Sequence, residues 1–308
     1  MASPVVILTA IESGFGALLT GTVLYLVLSH GRKAYHYLFA VFLFICFIWD
    51  FGTFLLMLRN EHLEELPIIG RIAILPCIFI PALIFHFVNL YTGRPKKWAI
   101  ILVWVLTAVS IIPIPLGYFY QIEGSYTYEW GNIFRVKPTV MDPMIFIFWY
   151  GINLSAIWLL YKNVKNVTSS LERRHYIYLI SGFLVITFSI LKALITLGID
   201  VAFLLPLGMF FNDIFVAIIG LAIIKDRLFD ITLIIKKGTV YSILAGLLIF
   251  IYSFVEHLLV TFIGERIGEE STWLHMISIA VGIAVLMPVK SRIEKAVERY
   301  FAHRTLVF

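Results

Sequence analysis

The sequence predicts an all-α polytopic membrane protein of about nine transmembrane helices, N-terminus outside and C-terminus cytoplasmic, with an amphipathic C-terminal helix. Three observations carry that prediction. The 308 residues are 61% hydrophobic and only 14% charged, whereas an ordinary soluble domain carries about 25% charged residues. The apolar residues fall in long continuous runs, not in the alternating segments of about ten residues that build a β-barrel. The basic residues are sorted into alternate connections between those runs. So few charges cannot cover a soluble surface. A cytosolic enzyme, a secreted disulfide scaffold and a disordered regulator are therefore excluded.

A helix crosses the hydrocarbon core with about 20 mostly apolar residues. Such runs lie at about 5–29, 37–59, 67–91, 98–118, 143–163, 176–199, 201–224, 239–263 and 273–289. The first has no basic residue before it and no small-residue cleavage site after it, so it reads as a span and not a signal peptide. Pro113 and Pro115 are expected to end or kink the fourth early. The sixth and seventh meet at Gly198-Ile199-Asp200 with almost no loop. With the N-terminus outside, 18 of the 24 basic residues fall in cytoplasmic connections and the tail, from Arg32 and Lys33 to Arg304. Only Arg59, Arg135, Lys137 and Arg266 fall outside, as the positive-inside rule requires. The net charge of +5 thus marks cytoplasmic loops and not a nucleic-acid partner. The organisation expected is a seven-span bundle over 1–231, two further spans over 232–289, and a cytoplasmic linker helix over 290–308.

The longest outer connection runs from Tyr118 to Asp142 and carries Tyr118, Tyr120, Tyr126, Tyr128 and Trp130. These aromatics suit an interfacial belt; a lid over an outward-facing site, or a contact for a partner, is the other reading. In the tail, Pro288 suits a first helical turn. Val289, Ile293, Ala296, Val297, Tyr300 and Phe301 then share one face. Such a helix either lies on the inner leaflet or pairs with its copy in a dimer. Ile293, Val297, Tyr300 and Phe301 are the signal-relay candidates in the second case.

Four stretches point to a known family. They are Leu75-Pro76 through Pro81-Ala82-Leu83-Ile84-Phe85-His86-Phe87 to Tyr91-Thr92-Gly93; Arg173-Arg174-His175-Tyr176 with Leu179-Ile180-Ser181-Gly182; Pro206-Leu207 with Ile218 to Ile224 and Lys225-Asp226-Arg227-Leu228-Phe229-Asp230-Ile231; and Arg292 to Phe301. Together they resemble the N-terminal seven-transmembrane sensor region of bacterial membrane histidine kinases, in the extended form with two further helices. The resemblance implies a multi-pass inner-membrane sensor of a two-component system. Such a module detects a small or lipidic ligand or a membrane state and works as a homodimer or with a kinase partner. No phospho-acceptor helix or ATP-binding domain is read after Phe308, so kinase activity is not expected of this chain.

Ionisable groups inside spans are costly and are functional candidates by default. Glu12, Asp50, Arg71, Lys192, Asp213, Glu256 and His257 lie at or above the expected midplane, and Asn212 and Asn153 add polar lining. That bias suits a pocket open to the outside, for which Glu12, Asp50, Arg71, Lys192, Asn212, Asp213, Glu256 and His257 are the candidates. The bland reading is that Lys192 pairs with Asp213 or Asp50 for packing, while Arg71 and Glu12 snorkel. His86 and Asn89, three residues apart, form a candidate polar pair on the inner side. A haem would want a second axial histidine at the depth of His86, and none is placed there. Cys46 and Cys77 sit in apolar runs, and no metal-ligand spacing occurs. No cofactor, metal or catalytic residue is expected; the partners are membrane lipids and a small-molecule or lipid ligand. A non-catalytic subunit of a larger membrane complex, or less strongly a transporter, is the alternative.

Overall fold

A computed structural model describes residues 3–93, 95–119, 121–189, 204–226 and 228, all within a compact unit spanning Met1–Leu233. The expected spans at 239–263 and 273–289 and the tail helix lie outside the described residues.

Helix α1 (Pro4–His30) starts where Ser3 holds an extended backbone and its side chain accepts from the Val6 N–H, with Pro4 in the first turn. It stops at Gly31, and the His36 ring Nδ1 accepts from the N–H groups of Arg32 and Lys33 to close the short turn into α2 (Ala34–Leu58). The third span is interrupted. Its first part is α3 (Leu66–Ile74), then a 3-10 turn (Leu75–Phe79), then α4 (Ile80–Tyr91). Pro76 and Pro81 open the turn and α4, and a proline has no N–H for the helical ladder, so the chain tightens between them. The single unbroken run expected over 67–91 missed this break.

Helix α5 (Lys97–Ile111) ends just before Pro113, as expected from the prolines. Strands β1 (Gln121–Tyr128) and β2 (Gly131–Lys137) follow as an antiparallel hairpin, with an irregularity between Ile122 and Ser125. Gly124 supplies the positive φ of +68° that this bulge requires. Helices α6 (Asp142–Val164), α7 (Ser170–Phe188) and α8 (Leu204–Asp226) complete the described chain. Ser169 caps α7 by accepting from the Glu172 N–H.

Among the described residues, five helical stretches are long and apolar enough to cross a membrane: α1, α2, the combined α3–α4 stretch, α6 and residues 205–224 of α8. The protein is a helical, multi-pass membrane protein, and its outer surface fits. Leu18, Ile147 and Ile101 are 74%, 73% and 61% exposed, a cost that lipid removes and water does not. Helix α1 packs on α2 and α8, α8 on α7, and α4 joins α2 to α6.

Two apolar layers flank the middle of the bundle. At one end the hairpin buries Ile122, Trp130, Ile133, Phe134 and Val136 against Val6 of α1, Leu56 and Met57 of α2, Leu66 of α3 and Leu205 of α8. Towards the other end, Phe39, Phe42, Phe87, Phe183 and Phe215 interlock across α2, α4, α7 and α8, with ring centroids 5.1–6.3 Å apart. Between these greasy layers sits the polar residue cluster.

Candidate functional site

The inner face of α1 carries Thr9, Ser13, Gly16 and Thr20 at three- and four-residue intervals, so small polar groups form one stripe. Thr9 and Ser13 satisfy themselves by donating to the Val5 and Thr9 carbonyl oxygens at 2.7 and 2.6 Å. Thr20 instead donates across to Asp50 Oδ2 at 3.0 Å. From the opposite side Asn212 Nδ2 of α8 donates to both Asp50 oxygens, at 2.8 and 2.9 Å. Side chains lean towards their helix N-terminus. Across the antiparallel pair α1 and α2, Thr20 and Asp50 therefore lean towards each other.

Gly16 makes room for the acids. A Cβ there would overlap Asp213 Oδ1 and stand 3.4 Å from Asp50 Oδ2, so the absent side chain lets two carboxylates share one level of the bundle. One turn nearer the hairpin, Glu12 is 1% exposed, and neither carboxylate oxygen has a hydrogen-bond partner among the described residues. Asp50, Asn212 and Thr20 are 0%, 1% and 0% exposed. A hydrogen bond to a charged group contributes about 1.5–3 kcal/mol. Asp50 is thus a junction through which α1, α2 and α8 hold a common position, and a small displacement of α8 would break it.

The structure therefore brings Asp50, Asn212 and Asp213 together, with Glu12 one turn away on the same helix as Gly16. It does not bring Arg71 to them: the Arg71 Nη2 donates to the Ile122 carbonyl oxygen of β1 at 2.7 Å, which ties α3 to the hairpin. His86 and Asn89 do not bond each other. His86 Nδ1 accepts from the Trp104 Nε1–H of α5 at 3.2 Å, whereas Asn89 Nδ2 donates to the Phe85 carbonyl oxygen at 2.9 Å. The two residues share a turn of α4, each with its own hydrogen-bond partner. Lys192, Glu256, His257, Ile293, Val297, Tyr300 and Phe301 lie outside the described residues. Thr20 was missed in the sequence, although its spacing from Ser13 and Gly16 marks the stripe. Among the described residues no three His, Cys, Asp or Glu side chains gather as metal ligands.

The aromatics of the long connection divide. Trp130 is buried and stacks on Tyr128 at 5.2 Å, Tyr126 packs beside the same cluster, and Tyr118 is exposed. The hairpin is pinned by Asn60, whose Nδ2 donates to the Asn132 carbonyl oxygen while its Oδ1 accepts from the Asn132 N–H at 2.8 Å. Ser3 Oγ donates to the Trp130 carbonyl oxygen.

At the far end, Arg174 makes a two-armed contact with Asp226, Nε to Oδ2 and Nη2 to Oδ1 each at 3.2 Å, and His175 Nε2 donates to the Asp226 carbonyl oxygen at 2.7 Å. Tyr91 meets Tyr176 edge-on at 5.6 Å. Three of the stretches that carry the resemblance thus touch one another. The family model described as the N-terminal 7TM region of histidine kinase matches residues 14–232, more than two thirds of the 308. The chain belongs to that family. No curated protein and no solved structure matches it. As a histidine-kinase sensor region it is a membrane-embedded signal-transduction module. The matched stretch is the sensor part and not the catalytic part of such proteins. The polar junction, the hairpin and the Arg174–Asp226 contact all lie inside it.

Proposed function

We propose that this region senses a small or lipidic ligand, or the state of the membrane, from the hairpin side of a bacterial cytoplasmic membrane. The signal passes to a cytoplasmic histidine-kinase effector through the chain that follows α8, as a homodimer or with a kinase partner. The basic residues support an N-terminus outside, which puts the hairpin outside and Arg174 and Asp226 in the cytoplasm. One observation carries the reading. Helix α8 is held at two levels, to Asp50 through Asn212 and to Arg174 and His175 through Asp226. A stimulus that favours a different packing of α1, α2 and α8 therefore moves the inner end of α8, by shifting the population of two packings. The ligand pocket proposed lies between these helices, around Glu12, Asp50, Asn212 and Asp213.

The test couples a histidine-kinase module after Phe308 and reads autophosphorylation in membrane vesicles. Asp50→Asn and Asn212→Leu are expected to change basal phosphorylation at least several-fold in one direction. Variants that fold, insert and phosphorylate as the parent does would overturn the reading. A reporter fused after Phe308 that reads as external would overturn the orientation.

A further inference from the structure

A cavity of about 120 Å³ opens beside Trp49 of α2. Its walls come from Trp49 of α2, Cys77 in the 3-10 turn, Pro81 and Ile84 of α4, Trp149 and Asn153 of α6, and the end of α7. Most of that lining is apolar or aromatic. On α6, the Trp149 Nε1–H and the Asn153 Oδ1 are buried, and neither has a hydrogen-bond partner among the described residues. They are one helical turn apart on α6 and therefore share a face. One is a donor only, and the other is an acceptor.

A single hydroxyl set between them answers both, accepting from the indole N–H and donating to the amide oxygen. Leaving either group unmet costs about 1–3 kcal/mol, which is a reason for the site to take up such a hydroxyl. The volume limits what the hydroxyl is attached to. A cavity of about 150 Å³ lined by apolar side chains holds a benzene ring, and one water takes about 30 Å³. A lone water would leave most of this space empty, whereas one six-membered ring fills most of it. We infer that the cavity between α2, the 3-10 turn, α4 and α6 is a binding site for a neutral single-ring molecule with one hydroxyl, a simple phenol. The ring lies among Trp49, Ile84 and Trp149, and the hydroxyl bridges Trp149 and Asn153.

This site is separate from the polar junction, yet Trp49 and Asp50 are consecutive in α2. The wall of one site and the hub of the other are therefore carried by the same turn of helix. Binding itself rests on the cavity alone and does not depend on the signalling proposed above.

The experiment uses the full chain in lipid nanodiscs with 4-fluorophenol as the probe, read by fluorine NMR, and fluorobenzene as the ring without a hydroxyl. Saturable binding of 4-fluorophenol at one site per chain, at least tenfold tighter than fluorobenzene, is expected. Asn153→Leu and Trp149→Phe should each lower the ratio of 4-fluorophenol affinity to fluorobenzene affinity at least severalfold. The unaltered protein gives a second readout. Cys77 lines the cavity whereas Cys46 is fully buried, so the phenol should slow modification of Cys77 by a small methanethiosulfonate at least several-fold. Equal affinity for the two probes, no saturable binding, or protection of Cys77 by lipid chains and not by the phenol would each overturn the inference. If the phenol binds but kinase output does not change, the site stands and its link to signalling fails.

Discussion

Gly70 on α3 faces Phe134 of the hairpin, and replacing it by alanine tests whether the hairpin is seated or merely adjacent. A Cβ at Gly70 would stand 2.6, 2.8 and 3.0 Å from three Phe134 ring atoms. Ordinary carbon–carbon contact needs about 3.5–4.0 Å, so the ring must retreat by about 1 Å. Phe134 has nowhere to go, being 1% exposed inside the cluster that joins the hairpin to α1, α2, α3 and α8. Overpacking of this kind costs about 1–3 kcal/mol, while alanine in place of a helical glycine returns about 1 kcal/mol. A net destabilisation of up to about 2 kcal/mol is expected for Gly70→Ala. Gly151 on α6 has open space where its Cβ would be, so Gly151→Ala should stabilise by up to about 1 kcal/mol. Reversible unfolding in mixed detergent micelles measures both. Phe134→Leu supplies the missing space, so it should cost less in the Gly70→Ala background than alone, a coupling a double-mutant cycle resolves. Equal stability of the two glycine variants, or no coupling with Phe134→Leu, would refute the argument that the hairpin is locked into the bundle.

Other predictions follow from the same contacts. Asn212→Leu strips Asp50 of its α8 donor and should destabilise by about 2–4 kcal/mol, about 1.5–3 per charge-assisted bond with some recovery from packing. The same change in an Asp50→Leu background should cost far less. Arg174→Gln removes a contact whose arginine side is 49% exposed, so stability should fall by no more than about 1 kcal/mol while coupled kinase output shifts. Asn60→Ala should free the hairpin without unfolding the bundle, seen as faster amide exchange in β1 and β2 with α2 and α4 still protected.

Much of the bundle is legible in the sequence because lipid imposes one strong rule, a long apolar run for each span. The ends of α1, α5 and α6 follow from Pro4, Pro113 and Pro143. What escaped notice depends on partners distant in sequence. Nothing near Asp50 announces Asn212, which is 162 residues away. Arg71 reads as a pocket residue until β1 is seen to offer it a carbonyl oxygen. The hairpin was hidden by its tyrosines, which read as an interfacial belt. The alternation in Asn132-Ile133-Phe134-Arg135-Val136-Lys137 was too short to stand out among spans four times its length. The interruption of the third span was visible in principle, because Pro76 and Pro81 are five residues apart. Apolar composition masked it.

The hairpin has a consequence for how a dose should be expressed. With Trp130, Ile133 and Phe134 set into that end of the bundle, the short path from bulk water to the middle of the protein is stoppered. A ligand of the kind proposed above would then reach Asp50 or Trp49 sideways, through the acyl chains. Under the proposed sensing role, potencies across a series of compounds should then scale with their partition coefficients. Doubling the lipid at a fixed total amount of a strongly partitioning compound should halve the response, although its molar concentration in the sample is unchanged.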